Sequence, residues 1–206
     1  MNQFLKRVFN YFSDRPKLNK SPLPIIHSIK HRIKDPEHLS DKIRREWSEK
    51  GPIDGSNLFE KITDLAGVRI LHLHQAQFSD IHKEIIDQIE EKEWYFVKPP
   101  VAYTWDPESE TFFKGLNIEC QVKESFYTST HYIVKPREKS NINCEIQVRT
   151  LYEEIWSEID HFINYPNPIN SIACKEQLKV LSKLTNTGTR LVDSIFKSYE
   201  EHLKQK

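Results

Sequence analysis

The chain has 206 residues, 37% of them hydrophobic and 29% charged, a balance that supports a globular core. Thirty Lys and Arg cancel thirty Asp and Glu, which argues against a protein that coats nucleic acid through a general cation excess but leaves room for local basic clusters. Five glycines form no GxGxxG or Walker A loop, so a bound nucleotide would have to be held mostly by side chains.

No apolar run approaches the roughly 20 residues that span a bilayer, and MNQFLKRVFNYF lacks the apolar core and cleavage site of a secretory signal. Cys120, Cys144 and Cys174 are odd in number and show no metal spacing, so a reducing cytoplasm is expected. Phe4, Leu5, Val8, Phe9 and Phe12 recur at helical spacing and predict a short N-terminal helix packed on the core. Residues 14–24, with Pro16, Pro22 and Pro24, read as a linker. In IIHSIKHRIK the alternation predicts a strand with Lys30, Arg32 and Lys34 on one face. Asp35 and Pro36 then start a helix that Gly51-Pro52 ends, and 53–60 reads as a loop.

GVRILHLH (67–74) predicts a core strand, with a helix behind it marked by Phe78, Ile81, Ile85, Ile86 and Ile89. Short strands are expected near 94–98, 101–105, 112–122, 130–135 and 142–149. Helical period returns at 151–163 through Leu151, Ile155, Ile159 and Phe162, and residues 172–203 predict one or two amphipathic helices. The plan is an α/β (α+β) fold: a mixed sheet flanked by helices, with helical extensions at both ends. Its divisions are 1–24, 25–168 and 169–206.

Three clusters could carry chemistry. Lys30, Arg32, Lys34, Lys42, Arg44 and Arg45 form a cationic zone suited to a polyphosphate; read alone, it is more simply a solvated face with pairs such as Asp41–Arg45. Asp64 and Arg69, in DLAGVR, bracket the start of the core strand at one sheet edge, although Asp64 also suits a simple turn cap. Tyr127, Ser129 and His131 alternate onto one face of their strand, as do Glu145, Gln147 and Arg149 on theirs. Such polar groups on apolar strands need partners or a ligand, because burying them unpaired costs several kcal/mol, about 2–7 for a neutral group. Asp64 and Glu145 together suit Mg²⁺, which takes one or two carboxylates plus phosphate oxygens. His72 and His74 alternate like a metal pair but lack a third ligand. Trp94, Trp105 and Trp156 read as core, and Asp160-His161 reverses the His-Asp order of metal phosphohydrolases.

Arg32, Lys34 and Lys42, then DLAGVR (64–69), Tyr127-x-Ser129-x-His131, and EIQVRT (145–150) with Trp156 and His161, follow one another in an order that resembles the RelA/SpoT synthetase domain over roughly residues 25–165. That family makes the alarmones (p)ppGpp. The resemblance implies a nucleotidyltransferase-like sheet and Mg²⁺-dependent transfer of pyrophosphate from ATP to the 3′-hydroxyl of GDP or GTP, releasing AMP. It implies that Arg32 and Arg69 flank the adenine, that Lys34 and Lys42 hold the ATP phosphates, and that Asp64 is a metal ligand. Glu145 is then metal ligand and base, Tyr127 the shelf for the acceptor base, and Lys123 the contact to the acceptor's 5′ phosphates. Gln147 and His131 order the pocket, and Glu154 faces the guanine edge.

The sequence departs from the family at Phe126 (usually Gly), Thr128 (Arg), His38 (Ser) and Glu154 (Asn or Asp). These departures keep open a toxin-type relative that modifies adenine nucleotides or the tRNA 3′ end, for which Lys175, Lys179 and Lys183 would be the basic surface. A catalytically silent nucleotide-binding module is the other alternative, against which the retained Asp64 and Glu145 count. The length fits a stand-alone small synthetase, with self-association through a helical stripe of Leu178, Leu181, Leu184, Leu191, Ile195 and Phe196, or with that stripe packed back on its own domain.

Overall fold

A computed structural model describes residues 1–20, 23–123, 125–165 and 167–205. Its centre is a six-stranded mixed sheet in the order β1-β2-β6-β5-β3-β4. β1 (Ser28–Ile33) and β2 (Ala66–His72) are antiparallel, and β2 runs parallel to β6 (Cys144–Thr150). β6 and β5 (Ser129–Lys135) are antiparallel, as are β5 and β3 (Tyr95–Tyr103), while β4 (Glu119–Gln121) lies parallel to β3 at the edge.

The two sheet faces differ in chemistry. One carries Val68, Ile70, Tyr132, Val134, Ile146 and Val148, all buried against α1 (Asn2–Ser13) and the helix spanning Phe78–Glu90. Phe4, Leu5, Val8 and Phe12 of α1 enter this core as their spacing predicts. Within the expected linker, Pro16 starts a one-turn helix, α2 (Pro16–Asn19), whose Leu18 is fully buried, while Pro22 lies outside the described residues. α3 (Pro36–Lys50) has the expected ends: Asp35 accepts from the Glu37 and His38 amides, and Gly51 takes a φ of 68°. A second turn, α4 (Leu58–Lys61), lies inside the expected loop. A 3-10 turn (Gln75–Gln77) leads into the Phe78–Glu90 helix, α5.

Two strand expectations fail. The runs 94–98 and 101–105 are one strand, β3, whose register shifts around Pro99-Pro100, which cannot donate to a ladder. Residues 112–122 are not a strand: α6 (Pro107–Gly115) occupies their first part and β4 is confined to 119–121. Asp106 caps α6 by accepting from the Ser109 amide at 2.8 Å, and Pro107 sits in its first turn. Local capping outweighs the strand preference of Phe112 and Phe113.

α7 (Leu151–Asn164) follows β6 directly, started by a reciprocal capping box between Thr150 and Glu153. α8 (Ile172–Lys204) is one helix of 33 residues. Gly188 lets it approach α7, since a Cβ there would lie 2.8 Å from the Tyr152 ring. Trp156 Nε1 donates to the Leu178 carbonyl at 2.9 Å, and Asp193 accepts from His74 Nδ1 and the Gln75 and Ala76 amides. The predicted α8 stripe splits. Leu178 is buried and Phe196 stacks on His74, whereas Leu184, Leu191 and Ile195 remain exposed.

The N-terminal helices are fastened by one buried carboxylate. Glu84, 2% exposed, accepts from Tyr11 Oη (2.8 Å), Arg15 Nε (2.7 Å) and Lys17 Nζ (3.2 Å). We expect Glu84→Ala to lower unfolding stability by about 2 kcal/mol, because charge-assisted bonds are lost and the Tyr11 hydroxyl is left without its partner. Urea unfolding checks this, and an unchanged midpoint would remove the fastening role.

Candidate active site

Strand register assembles the site. On the face opposite the core, Lys30 and Arg32 of β1 stand across from Arg69 and Gly67 of β2. Gly67 and Arg69 lie beside Glu145 and Gln147 of β6, and Gln147 faces His131 of β5. Period-two alternation therefore lines up cations, an acid, an amide and an imidazole across four adjacent strands. Arg32, Asp64, Arg69, Glu145 and Gln147 line one cavity of about 280 Å³, roofed by Ser157, Glu158 and His161 of α7.

Asp64 sits just before β2 and binds both predicted phosphate lysines. Its Oδ2 lies 3.1 Å from Lys34 Nζ and 2.8 Å from Lys42 Nζ. Burial works to lower the Lys42 pKa, but Asp64, Glu46 and Glu145 together raise it, so Lys42 is a fixed cation between the two acids. Arg44 rather than Arg45 pairs with Asp41, at 3.5 Å. Arg45 instead lies over the Tyr165 ring, which also stacks on His161 and meets the edge of His38.

Glu145 is held from both sides. His131 Nδ1 lies 2.9 Å from Oε1, and Gln147 Nε2 donates to Oε2 at 2.8 Å. Burial works to raise its pKa; the His131 imidazole, the Gln147 amide and the charge of Lys42 overcome this and hold it at about 2. His131 Nε2 in turn lies 2.9 Å from the Tyr127 hydroxyl. Tyr103 meets His131 edge-on, and Lys123 Nζ lies 4.5 Å from the Tyr103 ring centroid. The predicted acceptor residues Tyr127, His131, Gln147 and Lys123 thus share the β5 side of the site. Phe126 has a φ of 65°, the left-handed region that favours glycine. It is held there by a Ser182 Oγ bond to its carbonyl at 3.1 Å and by contact with Trp105.

Glu154, 5% exposed, lies among three cations: Lys30 at 3.2 Å, Arg69 at 3.0 Å and Arg149 at 2.9 Å. Burial works against its ionisation, but Arg149, Arg69 and Lys30 lower its pKa overall. Arg69 also meets Glu158 at 2.6 Å. The roof residues Ser157 and Glu158 carried no sequence expectation. Glu154, Ser157, Glu158 and His161 have i, i+3, i+4, i+7 spacing, a polar stripe visible in the sequence once α7 is known to cover the site. His72 Nδ1 lies 3.0 Å from the His74 carbonyl and His74 Nδ1 2.8 Å from Asp193, so this pair serves the α8 contact.

The acids fit a hard divalent cation in one respect that the structure supplies directly. Asp64 Oδ1 is buried without a hydrogen-bond partner, and Glu145 on the same cavity wall is favoured in its ionised form by His131, Gln147 and Lys42. Carboxylate oxygens of this kind, completed by substrate phosphates, are the donor set Mg²⁺ takes.

A sequence profile of the region found in RelA / SpoT proteins matches residues 31–170. The chain is 27% identical over 166 residues to the GTP pyrophosphokinase YwaC of Bacillus subtilis, covering 78% of this chain and 68% of that protein. Its fold is similar to the crystal structure of small alarmone synthetase 1 from Bacillus subtilis, with a TM-score of 0.73 at 21% identity over 97% of this chain and 94% of the other. The same enzyme bound to its product pppGpp matches with a TM-score of 0.71 at 22% identity, covering 96% and 93%.

Proposed function

This chain belongs to the RelA/SpoT family, and from that premise we propose that it is a (p)ppGpp synthetase. It moves the β,γ-diphosphate of ATP to the 3′-hydroxyl of GDP or GTP: a bond forms between that oxygen and the β-phosphorus, the bond to the α-phosphate oxygen breaks, and AMP leaves. The observation that carries this reading is the shared cavity wall of Asp64 and Glu145 beside Lys34 and Lys42, a charge pattern built for a polyphosphate rather than for a covalent nucleophile.

Arg32 and Arg69 offer planar guanidinium faces for the donor base, and Lys34 and Lys42 neutralise its phosphates. Asp64 and Glu145 would hold Mg²⁺, which when bound supplies further positive charge to the phosphate oxygens. Tyr127 supports the acceptor base, Lys123 meets its 5′ phosphates, and Glu154 presents a carboxylate to the base edge. Gln147 and His131 keep Glu145 turned toward the attacking hydroxyl. No helix among the described residues is long and apolar enough to cross a membrane, and the cytoplasmic supply of ATP and GTP suits the reaction. Leu184, Leu191 and Ile195 of α8 are exposed apolar residues that suit self-association, as are Ile155, Ile159 and Phe162 of α7.

The test is a transfer assay. Protein, Mg²⁺ and γ-labelled ATP are incubated with GDP, GTP, unlabelled ATP or deacylated tRNA in turn; label should pass to the guanine nucleotides. Label on ATP or tRNA would move the chain to the toxin-type relatives, and none on any acceptor would make it a binding module. In the same assay Tyr127→Ala should raise the acceptor KM by about tenfold or more, the equivalent of a lost 1–3 kcal/mol stack. An unaltered acceptor KM would remove Tyr127 from that place.

A further inference from the structure

We propose that Arg149 is a positioning residue for the acceptor nucleotide, setting the Tyr127 ring and the Glu154 carboxylate. The inference rests on the reading of Tyr127 as the shelf under the acceptor base, and it concerns a side chain with no substrate contact of its own.

Arg149 stands on the polar face of β6, two residues beyond Gln147, in register with Leu71 of β2. It is 2% exposed. Burying a guanidinium there is expensive, and an apolar side chain of similar volume would fill the space without a charge. Its surroundings explain the retention of the charge. The guanidinium carbon lies 5.9 Å from the centroid of the Tyr127 ring, within cation–π range. Nε lies 2.9 Å from Glu154 Oε2, an ion-pair distance but off the line of a hydrogen bond, and Nη1 is buried without a partner. A group packed to maximise its own bonding would not leave two donors unused. One placed by the ring and the carboxylate that it supports would.

The chain of contacts then runs from Arg149 to the Tyr127 ring, through the Tyr127 hydroxyl to His131, and on to Glu145. On the other side, Glu154 is shared by Arg149, Arg69 and Lys30. Loss of Arg149 leaves the ring free to tilt and removes the ion pair at Glu154 Oε2, while the Arg69 and Lys30 contacts at Oε1 persist, so the change falls on the acceptor side. Lysine keeps the charge but lacks the delocalised, planar guanidinium group.

The experiment compares Arg149→Met, Arg149→Lys and Tyr127→Ala in the full chain, measuring the KM of each substrate, kcat and the unfolding temperature. We expect Arg149→Met to raise the acceptor KM about tenfold or more while the ATP KM stays within about threefold, and Arg149→Lys to recover part of the loss. Acceptor KM values near wild type in both Arg149 variants, with Tyr127→Ala defective, overturn the inference and leave the shelf reading standing. A normal acceptor KM in Tyr127→Ala overturns the shelf and the inference with it. Parallel rises in both KM values with a lowered unfolding temperature show a merely structural arginine, which also overturns it. If Arg149→Met does not fold, Arg149→Lys decides: a raised acceptor KM with unchanged ATP KM supports the proposal, and a wild-type acceptor KM ends it.

Discussion

Glu145→Gln is expected to abolish pyrophosphate transfer, lowering kcat by roughly 10²–10⁴-fold, the range by which a positioned base accelerates proton transfer. The substitution is nearly isosteric and removes the one anion that His131, Gln147 and Lys42 jointly stabilise. A carboxylate held at about 2 is a weak base in the resting site. It becomes adequate only as the new oxygen–phosphorus bond forms and the attacking hydroxyl grows acidic, so the proton moves late. Accordingly, the acidic limb of the wild-type rate profile should not report Glu145 at any pH where the protein is folded. Stability carries a second signature. Because its folded pKa lies below the ordinary 4.5, ionised Glu145 stabilises the fold above that pH, and the contribution fades as pH falls toward 2. The variant should unfold more readily than wild type at pH 7, with the gap narrowing below about 4.5. Rapid-quench turnover and urea unfolding across pH check both statements; near-normal turnover in Glu145→Gln would strip Glu145 of its role.

Most of this site was legible because strand alternation is a strict geometric rule. Lys30 and Arg32, Glu145 and Gln147, and His131 each fell on one face of their own strand in the sequence alone, Arg69 was placed only near the start of its strand, and the register brought these side chains together. The order of the strands was not legible, since β1 and β2 are near in sequence whereas β2 and β6 are brought together by tertiary packing. α7 shows the limit most clearly. Its apolar stripe of Ile155, Ile159 and Phe162 would ordinarily mark the buried side, yet these residues are exposed and Glu154 is buried. The helix turns its polar stripe inward because the surface it covers is a field of cations, and ionic pairing with Lys30, Arg69 and Arg149 decides its rotation. The 112–122 error has a smaller cause, a single capping aspartate at 106 that an aromatic-rich strand pattern conceals.

The second large effect belongs to Asp64→Asn, expected to lower kcat by roughly 10²–10³-fold, the scale on which one preorganised electrostatic group acts in such sites. The sign of its effect on binding separates two roles. Asp64 neutralises part of the charge on Lys34 and Lys42, at 3.1 and 2.8 Å, and both lysines are mostly buried beside it. Asparagine leaves that charge for the donor phosphates, so an ATP analogue should bind at least as tightly as to wild type when metal is withheld. The buried, unpartnered Oδ1 is what the cation would use, so the gain in analogue affinity on adding Mg²⁺ should shrink in the variant. An aspartate that merely tethers two lysines predicts the opposite combination: turnover preserved, and the Mg²⁺ increment the same in both proteins. Isothermal titration of the analogue with and without Mg²⁺, set beside kcat, distinguishes them. An undiminished Mg²⁺ increment would place the metal elsewhere and leave Asp64 as a spacer between cations.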